Sequence, residues 1–213
     1  MNKLFNNWKR EYESRLSDIS QASPDVSREL TEGKQQLTPA NYYATKLVGS
    51  VSSFHDMFKS DDDISVGQTN VSNGKPQAGD HFLLCAVMVQ YGLAAGVTAG
   101  DTKATAFGLI PTNMRNGEIE ISQNKRVIME KQLMEIFYTA DHVESTGDTN
   151  SAAGTPIAAT MTGFGNVGYY ELPTPKWIDP ERKLDVSLEF ASAMQSANAN
   201  VRIILLGVKN TKV

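Results

Sequence analysis

The stretch Lys183-Leu-Asp-Val-Ser-Leu-Glu-Phe-Ala191 decides the fold of this chain, together with Val201-Arg-Ile-Ile-Leu-Leu-Gly-Val208 close behind it. In the first segment apolar and polar residues alternate strictly, which is the period of a strand with one buried and one wet face. The second segment is apolar apart from Arg202, as expected for a more fully enclosed strand. We therefore predict two neighbouring antiparallel strands that complete a β-sheet core late in the chain.

The composition is that of an ordinary globular protein, and 213 residues suit one large all-β domain, or one domain with an extension. The formal charge of −4 argues against direct nucleic-acid binding, because phosphate contacts need clustered lysines and arginines. Cys85 is the single cysteine, so the sequence excludes an internal disulfide framework and a cysteine-based zinc site. It lies in the apolar run from Phe82 to Val89, and we expect it to be buried.

The first 40 residues differ from the rest and predict a helical arm and linker ahead of a β-sandwich domain at residues 41–213. Residues 2–20 carry apolar side chains at helical spacing, and the Ser23-Pro24 step ends the pattern. This apolar stripe must pack on its own domain, on a symmetry mate or on a membrane surface, and the nearly balanced local charge weakens the membrane alternative. We predict an assembly interface made of Leu4, Phe5, Trp8, Tyr12, Leu16 and Ile19.

Seven or eight strand candidates with turn signals between them favour a sandwich or barrel. A strong two-residue turn signal is Asn73-Gly74. Prolines at 173 and 175 are expected to end the strand that begins near Gly168. Residues 126–139 fit a helix or a strand, and residues 139–162 predict a long surface loop. The other candidates are residues 64–71, 80–91, 102–110 and 118–122.

No motif for catalysis, cofactor binding or metal binding stands out. The segment Gly163-Phe-Gly165-Asn-Val-Gly168 matches a dinucleotide fingerprint, but two tyrosines and Pro173 follow it, so it cannot open the helix that the motif needs. We interpret its glycines as residues that allow the tight backbone turn at the start of a strand. We interpret His142 near Asp141 and Glu144 as ordinary polar residues of a surface loop instead of a metal site. The sequence thus predicts no catalytic residues, no cofactor and no metal, and a protein that is not an enzyme.

Three aromatic residues form a candidate contact set, namely Tyr169, Tyr170 and Trp177. Aromatic rings stack on sugar rings when they share an exposed face, although core packing is their commoner use. They support an alternative function, a carbohydrate-binding or adhesive β-sandwich module.

Four patterns occur in order between residues 80 and 208: Asn116-Gly-Glu-Ile-Glu-Ile, Gly168-Tyr-Tyr-Glu-Leu-Pro-x-Pro, Lys183-Leu-Asp-Val-Ser-Leu-Glu-Phe and Val201-Arg-Ile-Ile-Leu-Leu-Gly. In this series the sequence resembles the jelly-roll capsid proteins of tailless icosahedral bacteriophages. The resemblance implies an all-β, jelly-roll-like antiparallel sandwich of eight strands in two sheets, without enzymatic residues. Many such shells use two fused barrels, whereas this chain has length for one. A main shell, penton, spike or cement role therefore stays open.

On this basis we expect a self-assembling virion subunit that contacts copies of itself and other virion proteins. The predicted state is a homo-oligomer, either a trimer or a pentamer. The N-terminus lacks the apolar region and cleavage site of a signal peptide, so we expect synthesis in a host cytoplasm and a final location in the virion. Because residues 1–40 are not strongly basic, we expect the arm to contact neighbouring subunits or an internal layer instead of nucleic acid.

Overall fold

A computed structural model describes residues 2–17, 24–49, 53–59, 61–108, 110–138, 168–192 and 196–212. Strands dominate these residues and form two antiparallel sheets that pack face to face, so the predicted all-β sandwich is confirmed. The strands are β1 (Gln35–Leu47), β2 (Phe54–Asp56), β3 (Phe82–Leu93), β4 (Glu118–Gln123), β5 (Arg126–Leu133), β6 (Tyr169–Ile178), β7 (Leu184–Glu189) and β8 (Ala199–Lys212).

Helices are short and lie outside the two sheets. They are α1 (Asn2–Ser14), α2 (Pro24–Thr31), α3 (Ala99–Lys103), α4 (Thr112–Arg115) and a 3-10 helix at Met134–Phe137. The polar stretch before residue 41 contains α2 and the first six residues of β1, which begins at Gln35. The sheet therefore starts within the segment that the sequence suggests as a linker.

The strand order is β1-β8-β3-β6 in one sheet, called sheet I below, and β2-β7-β4-β5 in the other, called sheet II. Strands pair from the outside of the sequence inward: β1 with β8, β2 with β7, β3 with β6, and β4 with β5. The described chain thus has the connectivity of one long antiparallel hairpin folded over into two layers, with its turn between β4 and β5.

The two closing strands do not pair with each other, and the prediction that they are neighbours is wrong. β7 lies in sheet II between β2 and β4, whereas β8 lies in sheet I between β1 and β3. The predicted faces are nevertheless right, since Leu184, Val186 and Leu188 are fully buried on alternate positions of β7. They meet the alternate β8 residues in one core, so the two segments contribute its opposite walls. Periodicity fixes which side of a strand is apolar but not which partner it pairs with.

β3 is buried on both faces, in keeping with the apolar run from Phe82 to Val89 in the sequence. β3 lies between β8 and β6, and the pairing shifts by one residue at Cys85, as in a β-bulge. The shift allows Leu84 and Val87 both to face the core between the sheets. Leu83 and Cys85 face the other way, and both are fully buried beneath the N-terminal helices.

β6 continues through Pro173 and Pro175 to Ile178, so the prediction that these prolines end the strand is wrong. The register explains the difference, because Glu171 pairs with Ala86 and Lys176 with Leu84, leaving four β6 residues opposite one β3 residue. Prolines are tolerated in an edge strand and at a bulge, where no ladder N–H is required.

Two further strand predictions are wrong. Residues 64–71 form a turn with isolated bridges, and the turn folds back on the edge of β1 instead of extending. Residues 102–110 begin in α3, where the Thr98 side chain and Asp101 form a capping box. The ambiguous segment is now resolved as β5 followed by the 3-10 helix, as far as Tyr138. The long loop predicted at residues 139–162 lies outside the described residues.

Each strand at an edge of the two described sheets has a feature that discourages pairing with another chain. β2 has only three residues, and β6 carries its two prolines. β1 contains Pro39, and the side chain of Asn70 occupies its edge by accepting from the Tyr43 N–H and donating to the Asn41 carbonyl, both at 2.8 Å. β5 has two register irregularities and exposed charges at Arg126, Glu130 and Lys131.

The start of β6 is tight, as the sequence suggests for its glycines. Gly168 has a φ of 71°, and its carbonyl accepts from the Val89 N–H at 2.8 Å. A Cβ at this position would lie 1.9 Å from the Val89 carbonyl oxygen. The remaining glycines of the dinucleotide-like motif lie outside the described residues.

We expect Gly168→Ala to lower the free energy of unfolding by about 3 kcal/mol, because it combines left-handed strain with a backbone clash. Gly108→Ala is the matched control, since a Cβ there meets nothing within 4 Å, and it should change stability by less than about 0.5 kcal/mol. Urea denaturation of both variants measures the difference. Equal stabilities would show that the start of β6 is not constrained.

Candidate interaction surface on the outer face of sheet I

Helix α1 lies on the outer face of sheet I and buries its apolar stripe there. Tyr12 is fully buried and packs edge-on against Trp177, with ring centroids 4.7 Å apart. It joins Leu83, Cys85 and Val208 in a small cluster separate from the core between the sheets. α1 and its sheet together make a second, minor core, which includes contributions from α2 through Val26 and Leu30.

Three hydrogen bonds hold α1 and the adjoining Arg15 against sheet I. The Trp8 indole N–H donates to the Glu171 carboxylate at 3.1 Å, and the Tyr12 hydroxyl donates to the His81 carbonyl at 3.3 Å. Arg15 donates to the Pro175 carbonyl at 3.1 Å and pairs with Glu11 at 2.7 Å. Because β6 is irregular here, the Pro175 carbonyl is free to accept from Arg15; in a regular strand it would bond to the neighbouring strand.

The structure brings together most of the predicted interface residues. Phe5, Trp8 and Leu16 are half-buried and pack on the cluster around Tyr12, and Leu4 is half-buried on the same helix. Ile19 lies outside the described residues. Within one chain the stripe contacts its own sheet, and contact with another subunit or a membrane stays a prediction.

The three aromatic residues of the alternative prediction do not form one exposed platform. Tyr170 faces the core, where its ring lies 6.0 Å from that of Phe137. Trp177 faces outward beneath α1, and the Tyr169 hydroxyl is buried without a hydrogen-bond partner among the described residues. Sugar binding by these rings stays a prediction, but the described geometry offers no shared stacking face.

Cys85 reports on the docking of α1. Its side chain is fully buried in the minor core, and burial, reinforced by Glu171 and Glu11, raises the pKa of the thiol to about 12. An unfolded thiol ionises near pH 8.5. The folded state holds the proton longer, so its contribution to stability is complete below about pH 8.5 and is lost as the pH rises toward 12.

We expect Cys85 of the native protein to resist a thiol reagent such as dithionitrobenzoate at pH 8, because access requires α1 to leave the sheet. The double variant Trp8→Ala, Tyr12→Ala removes the indole hydrogen bond and the largest buried contact, and labelling should become at least about tenfold faster. Lys9→Ala is the control on the exposed side of the same helix. Fast labelling of the native protein would contradict the docked position.

A cleft lies at the end of the sandwich where α2 begins. It has a volume of about 800 Å³ and is lined by residues including His81, Arg126, Trp177, Asp179 and Arg182. Asp179 pairs with Arg182 at 2.9 Å, and burial lowers the pKa of His81 while nearby carboxylates oppose the shift. The lining has mixed charge, so the cleft does not select a ligand class by electrostatics.

In the part of the chain that the structure describes, no group of three or more histidines, cysteines or carboxylates converges as a metal site. The acidic triplet at residues 61–63 does not act as a unit, since Asp62 pairs with Lys46 at 2.5 Å and accepts from the Lys59 N–H. None of the described helices is long and apolar enough to cross a membrane.

Comparison with known proteins adds no relative. No protein-family model matches the sequence, and no curated protein and no solved structure shows a significant match to the chain.

Proposed function

We propose that this protein is a jelly-roll structural subunit of a virion, and that it acts through contacts with copies of itself and with other virion proteins. The observation that carries the proposal is the strand order β1-β8-β3-β6 and β2-β7-β4-β5. A jelly roll is an eight-stranded double sheet, and viral capsid domains are among its main uses. The nested pairing of first with last strands is the connectivity that such a rolled hairpin requires.

The surface of the sandwich supports assembly through faces and loop ends instead of strand edges. The four sheet edges that the structure describes are short, bulged, or interrupted by proline, so edge pairing is disfavoured. β1 and β3 both run antiparallel to β8, so the loops that follow them leave the same end of sheet I. At or near that end, exposed apolar side chains include Leu47, Leu93 and Val97.

The N-terminal arm of this proposal is α1. Its stripe is satisfied on sheet I, so any contact that it makes with a neighbouring subunit uses either its opposite face or a helix exchanged between subunits. Exposed charges such as Lys9, Arg10 and Glu13 lie on that opposite face. A trimer or a pentamer is the expected oligomer, within the virion.

Electron microscopy of the purified protein at high concentration tests the proposal. Closed particles, or discrete rings and trimers, are the expected result. Fields of single 23.3-kDa domains at every concentration would overturn it. A carbohydrate-binding module would instead show saturable binding on a glycan array.

A further inference from the structure

Helix α1 covers one end of the outer face of sheet I, and the other end contains a small charged pocket. Ile204 and Leu206 alternate along β8 with the core residues and are half-buried. Met88 pairs with Ile204 on the neighbouring strand. Among these apolar side chains Arg202 lines a pocket of about 280 Å³, together with Asn41, Tyr43, Gly67 and Ile204. We call it the Arg202 pocket.

The guanidinium of Arg202 is held in place by neutral partners. Its Nε donates to the Thr45 hydroxyl at 3.0 Å and its Nη2 to the Gly67 carbonyl at 3.3 Å. It stacks over the Phe107 ring at 4.0 Å from the centroid. A guanidinium has five N–H donors, so three remain for a further partner.

Several other half-buried cations among the described residues contact carboxylates. Lys46 pairs with Asp62 at 2.5 Å, and Lys209 pairs with Asp80 at 2.6 Å. For Arg202, in contrast, no carboxylate of the described residues lies within ion-pair distance. Because removing a cation from water is costly unless it is paired, a fixed and unpaired guanidinium indicates a partner outside these residues.

We propose that the Arg202 pocket receives one aspartate or glutamate carboxylate from a second copy of this chain. The inference rests on the proposed function, which it deepens by naming a residue of the subunit contact. The flat fork of arginine binds a carboxylate through two parallel hydrogen bonds. The half-buried side chain of Ile204, which lines the pocket, would help to exclude water from this pair.

The size and charge of the site favour a protein side chain over other anions. Pockets for drug-sized ligands start near 300 Å³, so this one suits a single side chain. A nucleic acid would need several cations in a row, whereas among the described residues Arg202 is the one charged residue lining the pocket. A second copy provides carboxylates in excess, with 24 acidic against 20 basic residues. Since the strand edges disfavour pairing, the sheet face is one of the surfaces left for contact.

Cross-linking tests the contact directly. In Arg202→Lys the introduced amine should couple to the neighbouring carboxylate when assembled protein is treated with a water-soluble carbodiimide. A mixture of ¹⁴N and ¹⁵N copies allows mass spectrometry to distinguish links between chains from links within one. We expect a mixed-isotope link at position 202 and none at position 36 in the exposed control Gln36→Lys. A link within one chain only, or no link, would overturn the proposal.

A second variant does not alter the arginine. Asn41→Trp places a large ring at the exposed rim of the Arg202 pocket and should weaken self-association about 30-fold or more, the loss expected for a truncated interface charge pair. Gln36→Trp on the same strand should not. If the native protein assembles and Asn41→Trp assembles equally well, this inference fails and the proposed function stands. If the native protein never associates, the proposed function fails first and takes the inference with it.

Discussion

Replacing Ile203 with aspartate is expected to leave the chain without a stable folded state. Ile203 is fully buried in the middle of β8, and its side chain lies in the core between the two sheets. A carboxylate there has to be desolvated or protonated without a partner, and the lost packing adds to that cost. The total of roughly 5 kcal/mol or more is comparable with the whole stability of many domains. Circular dichroism and urea denaturation measure the result.

The adjacent residue provides the control. Ile204 is half-buried on the opposite face of the same strand, and Ile204→Asp should fold with a loss of about 1–2 kcal/mol. Leu188→Asp should behave like Ile203→Asp, because Leu188 is fully buried on β7 in the opposite wall of the core. If either buried variant folded normally and lost only a binding activity, these strands would not be the scaffold of the domain.

Removing residues 2–17 is expected to abolish assembly while the two sheets stay folded. In the part of the chain that the structure describes, the core between the sheets contains no residue of α1, so its packing should survive the deletion. The outer face of sheet I then loses the cover of Tyr12 over Leu83, Cys85 and Val208. Light scattering follows assembly, and near-ultraviolet circular dichroism follows the packing of the remaining aromatic residues.

The control for the deletion keeps the helix and changes only its exposed side. Lys9→Ala and Glu13→Ala remove a weak ion pair with atoms 3.9 Å apart, which contributes little at a surface. This double variant should stay folded with its Cys85 thiol protected. Unchanged assembly of the deleted chain would show that α1 serves only as a cover for its own sheet.

The sequence predicts the strands whose residues interact mainly with the core. β3, β4 and β7 follow the apolar periodicities of buried or half-buried strands, and the structure contains all three. The pairing of β7 and β8 with different partners is not encoded in either periodicity. It depends on how the nested strands close around one another, which involves residues far apart in sequence.

Other elements were missed because their local signals are weak or misleading. β1 contains polar residues and Pro39, and its edge is completed by Asn70 from a distant turn. The β4–β5 turn places Asn124 and Lys125 at φ values of 50° and 66°, and lysine is not a residue that signals a left-handed turn. Conversely, the segment around Val66 has the composition of a strand, but its backbone folds against β1.

The candidate surfaces, too, could be predicted from the sequence only in part. The amphipathic stripe of α1 is visible in the sequence. The surface on which it packs is formed by residues of β3, β6 and β8, which come together only in the fold. Arg202 is visible as the lone charge in an apolar segment. Its contacts with Gly67 and Phe107, which fix the position of the guanidinium, form only in the folded chain.

The mass of the purified native protein in solution tests the central claim most directly. Light scattering coupled to size-exclusion chromatography should give three or five times the 23.3-kDa chain mass, or large closed particles, and the mass should increase with concentration. A mass of one chain at every concentration, with the sandwich folded and α1 in place, would contradict the account of a self-assembling subunit.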